Sequence, residues 1–159
     1  MKKIINLILF LSLTLFVNNC AGYKPIFGSS NIEFNISNYE ITGNKKLGNK
    51  IYRMLKSISG SNKENTKNIN FFINISKDKT ATSKDTSGKI LEYRITLNSI
   101  IKVKDTTTDN IIMDQTFITS ITYKVQDQYS ETVRSENSSL ETLLNNTYQE
   151  LLIRLSQIL

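Results

Sequence analysis

The chain has 159 residues with a formal net charge of +6, and it contains one cysteine, no histidine and no tryptophan. Histidine-based catalytic sites, histidine-ligated metals and disulfides within the chain are therefore excluded. The positive charge comes mainly from lysine, whereas arginine is favoured for specific phosphate contacts, so a solvated lysine-rich surface is a simpler interpretation than nucleic-acid binding.

The first 19 residues have the plan of a secretory signal peptide. Lys2 and Lys3 form a short basic region, and a mainly apolar run follows from 4 to 17. A membrane-spanning helix needs about 20 predominantly apolar residues, and this run is shorter. We therefore predict a signal peptide over residues 1–19 that is cleaved before residue 20, with an uncleaved membrane anchor as the alternative.

The single cysteine, Cys20, directly follows the apolar run. Bacterial lipoprotein signals place at this point the cysteine that is acylated. Val17 fits the apolar position of such a signal, whereas Asn19 stands where a small residue is usual. Because a lone cysteine cannot pair internally, lipidation explains Cys20 better than a free thiol. The residue after the cysteine is Ala21 rather than an aspartate. By resemblance to the sorting rule for such lipoproteins, this predicts the outer membrane. Residues 20–30 are predicted to be a lipidated tether on the periplasmic side of that membrane.

The next segments alternate between strand and helix patterns. Residues 32–36 place apolar side chains at every second position, which is typical of a half-buried strand. Residues 47–58 place them at helical spacing, and Gly60 follows as a stop signal. A second strand is predicted over 71–75, with its strand character fading through 77–84.

Turn-forming residues at 85–88 precede one longer strand, and those at 105–110 separate it from a second one. The strand over 91–103 has one apolar face and one polar face, so we expect one face buried and the other wet. The next strand and this one form an antiparallel hairpin. In the later strand, five residues are predicted to share the buried side: Ile111, Met113, Phe117, Ile121 and Tyr123.

The chain ends with a leucine-rich helical stripe over 140–159. Ser138 and Glu141 have the spacing of a capping box, so the helix is predicted to begin there and 124–137 to be a polar loop. The order strand, helix, three strands, helix predicts an α+β fold, in which a four-stranded, mostly antiparallel sheet has two helices packed on one face. Residues 31–159 are predicted to form this single domain.

Few residue groups indicate catalysis. Gly43 to Lys50 is faintly similar to a phosphate loop, but Ile51 stands where Ser or Thr should bind the metal. An enzyme acting through carboxylates would need two acids in one cleft, and Glu92 with Asp114 is a pair to test. We predict a binding protein without enzymatic activity, cofactor or metal.

Three sequence features taken together are typical of one family. Residues 20–27 are Cys-Ala-Gly-Tyr-Lys-Pro-Ile-Phe, residues 91–97 are Leu-Glu-Tyr-Arg-Ile-Thr-Leu, and a leucine-rich helix ends the order of elements. In these features the mature chain resembles the LptE family of lipopolysaccharide-assembly lipoproteins. In the commoner start of the family the glycine directly follows the cysteine, whereas this chain has Ala21 between them.

The resemblance implies a plug in the lumen of an LptD-like outer-membrane β-barrel, which assists barrel assembly, binds lipopolysaccharide and helps to deliver it to the outer leaflet. A polar outer sheet face would suit such a wet lumen. A pilotin for another secretion pore and a carrier of small amphiphiles remain alternatives. Four lysines near the first hairpin turn are candidate contacts to lipid A phosphates, with a solvated loop as the alternative: Lys77, Lys79, Lys84 and Lys89.

Overall fold

The computed structural model describes residues 33–60 and 66–159. Three predictions lie outside the described residues: the signal peptide, the acylation of Cys20 and the tether over residues 20–30. Six elements follow in chain order: β1 (Phe34–Gly43), α1 (Lys45–Ile58), β2 (Lys67–Lys84), β3 (Ile90–Asp105), β4 (Ile111–Lys124) and α2 (Tyr129–Ile158).

The four strands form one sheet in the order β1-β2-β3-β4. β1 runs parallel to β2, and the β2–β3 and β3–β4 pairs are antiparallel. The helix between β1 and β2 is the crossover that a parallel pair requires. The predicted α+β class, the order of elements and the mostly antiparallel sheet are therefore confirmed.

Both helices pack on one side of the sheet, which we call the covered face; the opposite side is the open face. The alternation of β2 and β3 directs every second side chain to the covered face, where it is removed from water. The helices complete this core with Leu47, Ile51 and Leu55 from α1 and with Leu143, Leu144, Leu151 and Leu155 from α2.

Local signals define the start of α1. Gly43 has a positive φ of 69°, a conformation that favours glycine, and it turns the chain out of β1. Asn44 is the N-cap, and its Oδ1 accepts a hydrogen bond from the Leu47 backbone N–H at 3.2 Å. Gly48 lets the helix approach the sheet closely, since a Cβ there would overlap the Ile41 side chain.

β2 begins at Lys67, four residues before its predicted start, and the strand that was predicted to fade through 77–84 continues to Lys84. Its apolar alternation ends at Ile75, but pairing with β3 continues through Ala81. The backbone ladder and the aliphatic stems of Lys77 and Lys79 replace the apolar pattern in this half of the strand.

The predicted position of Ile111 was also wrong. A register shift at Val103 and Lys104 pairs Ile111 with Lys104, and Ile111 is 60% exposed. A bulge of this kind moves a side chain out of its expected alternation. Met113, Phe117 and Tyr123 are buried as predicted, and Ile121 packs partly buried against the core.

The last helix begins nine residues earlier than its predicted start. α2 begins at Tyr129 rather than Ser138, so the predicted capping box is wrong and most of the predicted polar loop is helix. Ser138 lies inside α2, where its carbonyl accepts a hydrogen bond from the Thr142 hydroxyl. The polar first turns are stabilised by tertiary contacts of Glu136 with the sheet. Among the described helices, none is long and apolar enough to cross a membrane.

Candidate functional site

Two of the four predicted lysines form ion pairs with the same glutamate. Lys77 and Lys79 both lie on the covered face of β2, two positions apart. The Lys77 ammonium donates to Glu136 Oε1 at 2.9 Å, and the Lys79 ammonium donates to Glu136 Oε2 at 2.6 Å. This charge-assisted pairing connects α2 to the end of the sheet.

Tyrosines complete this cluster. The Tyr123 hydroxyl donates to Glu136 Oε2 at 2.9 Å. The Lys79 Nζ lies 4.2 Å from the centre of the Tyr93 ring and 5.5 Å from that of Tyr123, within cation–π distance. We call Lys77, Lys79, Tyr93, Tyr123 and Glu136 the Glu136 cluster.

The electrostatics of the Glu136 cluster favour its charged forms. The hydrogen bond from Lys79 is the largest cause that lowers the pKa of Glu136, and it outweighs burial to bring the pKa to about 2. Burial is the largest single effect on Lys79 and lowers its pKa, but the hydrogen bonds and charge interactions with Glu136 and Tyr123 together outweigh burial and raise the pKa. The two ammonium groups share one carboxylate, so the Glu136 cluster keeps a net charge of about +1.

Lys84 and Lys89 are separated from the Glu136 cluster. They lie exposed at the β2–β3 turn, where the Asp85 carboxylate accepts hydrogen bonds from the backbone N–H groups of Ser87 and Lys89, each at 2.9 Å. The Ser87 hydroxyl also donates to this carboxylate, at 2.7 Å, and that hydrogen bond is the main reason that the pKa of Asp85 is lowered. Lipopolysaccharide binding stays a prediction for all four lysines.

The sequence prediction missed a second basic surface on α1. This helix carries Lys45, Lys46, Lys50, Arg53 and Lys56, and it contains no acid. All but Lys50 are exposed, and Lys50 forms an ion pair with Glu141 of α2. The signal was available in the sequence, since five cations without an acid in a 14-residue helix are readable from the printed chain.

The open face is less polar than predicted. Phe72 is 38% exposed and Ile118 is 68% exposed there. A shallow groove of about 400 Å³ runs along this face, with Phe72, Ile100 and Lys102 among its lining residues. An ion pair of 2.9 Å between Lys102 and Asp114 borders it. The face therefore mixes apolar side chains with paired charges.

The acids considered for catalysis do not converge. In the β3–β4 ladder, Glu92 lies opposite Lys124, whereas Asp114 lies opposite Lys102. Ten residues of extended strand separate Glu92 from Lys102, which corresponds to about 33 Å. Within the described residues, no group of three or more acids or cysteines could hold a metal ion.

Comparison with known proteins relates the chain to others through its fold. No protein-family model matches the chain, and no curated protein matches it. It is similar to the crystal structure of the minor lipoprotein from Acinetobacter baumannii, with a TM-score of 0.53 and 13% identity over 77% of this chain and 90% of that one.

A solution structure gives the same result. The uncharacterized lipoprotein B from Nitrosomonas europaea matches with a TM-score of 0.52 and 16% identity, covering 75% of this chain and 80% of that one. The described part of the chain thus shares the fold of two proteins that carry the name lipoprotein.

Proposed function

We propose that this chain is an outer-membrane lipoprotein, acylated at Cys20, that partners an LptD-like β-barrel as a plug and assists the insertion of lipopolysaccharide into the outer leaflet. The observation that carries the proposal is the shared fold with solved lipoproteins. The lone cysteine behind a signal-type apolar run supports it independently, because it comes from a part of the sequence that the fold comparison does not use.

The two faces of the sheet support a role in binding rather than in catalysis. The covered face is filled by a packed core, whereas a carrier of amphiphiles would need a deep apolar cavity. The open face presents the Lys102–Asp114 and Lys104–Asp109 ion pairs, and paired charges suit contact with the polar interior of a large barrel. We therefore propose a non-enzymatic protein that needs no cofactor.

The first test is recovery of the partner. Tagged full-length protein is purified from host outer membranes in mild detergent, and we expect a barrel of the LptD type at equal stoichiometry, together with lipopolysaccharide. Recovery of acylated protein without a barrel would contradict the plug and favour the alternative of a pilotin or amphiphile carrier.

The second test concerns the anchor. Cys20→Ala should leave the protein unacylated and outside the membrane fraction. Asn19→Ala is the matched control, since it places a small residue where lipoprotein signals usually have one, and it should preserve or improve processing. Mass measurement of the amino-terminal peptide distinguishes these outcomes, and an unacylated wild-type protein would refute the anchor.

The third test concerns lipopolysaccharide. Lys84→Glu with Lys89→Glu leaves the Glu136 cluster intact and should weaken retention of lipopolysaccharide by the purified protein. The control, Lys67→Glu with Arg154→Glu, makes the same change of charge at exposed positions where no lipid contact is proposed. Equal retention in the hairpin variant and the wild type would remove Lys84 and Lys89 from the binding site.

A further inference from the structure

The basic surface of α1 has a one-sided arrangement. At about 100° per residue, its five cations fall within an arc of about 140°, while Leu47, Ile51 and Leu55 point into the core. α2 packs in the same layer and has the opposite balance, with four glutamates and two arginines. Positive charge on the helical side is thus concentrated on α1.

In the part of the chain that the structure describes, four of these five cations have no acidic partner. Lys50 is paired, through Glu141. No carboxylate of the described residues forms an ion pair with Lys45, Lys46, Arg53 or Lys56, and all four are exposed. Four lysines of the sheet, in contrast, are paired with acids: Lys77, Lys79, Lys102 and Lys104. The outward face of α1 is therefore positioned to bind an anion outside the protein.

The end of α1 adjoins the point where the chain from the anchor enters the fold. The Gly60 N–H donates to the Phe34 carbonyl at 3.1 Å, and the Ile36 N–H donates to the Ser59 hydroxyl at 3.1 Å. Phe34 begins β1 and follows Cys20 by 14 positions, a length of chain that spans at most about 50 Å. α1 is about 21 Å long, so an anchor at Cys20 leaves the whole helix within reach of the bilayer.

We propose that the outward face of α1, formed by Lys45, Lys46, Arg53 and Lys56, is a membrane-docking surface for the phosphate groups of anionic phospholipids. Cationic side chains close to an anionic bilayer each add to binding, and the attraction decays within a Debye length. Before the domain enters the barrel, the anchor keeps the protein at the bilayer, and α1 orients the domain on it. The inference rests on the proposed function only for the acylated anchor.

The experiment removes that anchor, so that the surface is measured by itself. The processed chain, residues 20–159 with Cys20→Ala, is sedimented with vesicles of phosphatidylcholine alone or of phosphatidylcholine with phosphatidylglycerol. We expect binding only to the phosphatidylglycerol vesicles, and we expect it to weaken as salt increases. Equal binding to both vesicle types, or to neither, overturns the inference.

A matched pair of variants distinguishes an effect of the α1 surface from an effect of the net charge. Loss of Lys2 and Lys3 with the signal peptide leaves the processed chain at +4, and each triple variant brings it to −2. Lys46→Glu, Arg53→Glu and Lys56→Glu together should lower the vesicle partition coefficient about tenfold or more. The control reverses Arg94, Lys124 and Arg154, which are also exposed and belong to no proposed binding site, and should keep most of the binding. Equal losses in both variants would overturn the inference.

Two further measurements keep the result interpretable. Circular dichroism checks that each variant is folded, and glutamine in place of glutamate at the same three positions of α1 should give a smaller loss in the same direction. When acylated wild-type protein is bound to phosphatidylglycerol vesicles, Lys46 and Lys56 should be protected from acetylation, with the exposed Lys124 as the internal control. Sedimentation without protection overturns the inference, whereas absence of acylation contradicts the proposed function alone.

Discussion

The two helices cover the same face of the sheet but are stabilised in different ways. α1 has 14 residues, an N-cap side chain in Asn44 and a compact apolar stripe. α2 has 30 residues, and its N-cap residue, Gln128, makes no side-chain capping hydrogen bond. Its first turns contain no fully buried residue before Ser139. Local interactions are enough to define α1, whereas the first half of α2 depends on residues of the sheet.

The contact that replaces a cap in α2 is long-range. Glu136 takes hydrogen bonds from Lys77 and Lys79, which precede it by 59 and 57 residues. The Thr132 hydroxyl additionally accepts the Gln126 N–H at 2.8 Å. A helix with few apolar residues gains most of its stability from such tertiary contacts. We therefore expect substitutions at different positions of the two helices to change the free energy of unfolding by different amounts.

The largest effect is expected in the second half of α2, where the core is made. Leu151 is fully buried, and Leu151→Ala should lower the free energy of unfolding by about 2 to 5 kcal/mol because it removes apolar contacts and leaves a cavity. Ile153 is 42% exposed on the same helix, and Ile153→Ala should cost much less. Urea denaturation measures both, and equal losses would contradict the assigned packing of α2.

A smaller effect is expected at the Glu136 cluster. Glu136→Gln should cost about 1 to 2 kcal/mol, because the cluster is only partly buried and solvent screens part of the interaction. Hydrogen exchange should also accelerate over residues 129–137. Glu131→Gln is the control, since Glu131 makes only an exposed pair with Arg134 at 3.8 Å. Unchanged exchange over the first turns of α2 would show that the cluster does not stabilise them.

The same acid predicts a dependence on pH. The pKa of Glu136 is lowered to about 2 from an ordinary 4.5, so its contribution is present above about pH 4.5 and is lost as the pH falls towards 2. Wild-type stability should therefore decrease over this range more than that of Glu136→Gln, which has no carboxyl at that position. Thermal unfolding at several pH values measures the difference, and parallel pH profiles would contradict it.

The smallest contrast is between the two helix starts. Asn44→Ala should cost about 1 kcal/mol, since it removes the oxygen that accepts the Leu47 N–H. Gln128→Ala should have almost no effect, because the Gln128 side chain does not cap α2. Equal effects at the two positions, measured by urea denaturation, would show that α1 is not defined by its local cap.

Prediction from sequence succeeded where the signal was local and periodic. The helical spacing of Leu47, Ile51 and Leu55 located α1, and the alternation over 91–103 located β3. It failed where neighbours in space replaced the pattern. Nothing near Lys77 in the chain indicates that Glu136 lies beside it. The second half of β2 was therefore predicted only as a fading strand, and the first half of α2 was predicted as a loop.

The candidate sites divide in the same way. The sequence predicted four lysines as one cluster, whereas in the structure Lys77 and Lys79 share the carboxylate of Glu136 and Lys84 and Lys89 lie exposed at the turn. The basic surface of α1 was readable from composition alone. Its lack of acidic neighbours was not, because that depends on how the helices pack.

By itself, the sequence determined the α+β class, the order of the six elements and the apolar stripes that form the core. These could be predicted because apolar residues recur with the period at which a helix or a strand buries its side chains. Only the tertiary structure decided the register at Ile111, the start of α2 and which lysines pair with an acid. These depend on single contacts between residues far apart in the chain, and such contacts leave no periodic trace in one sequence.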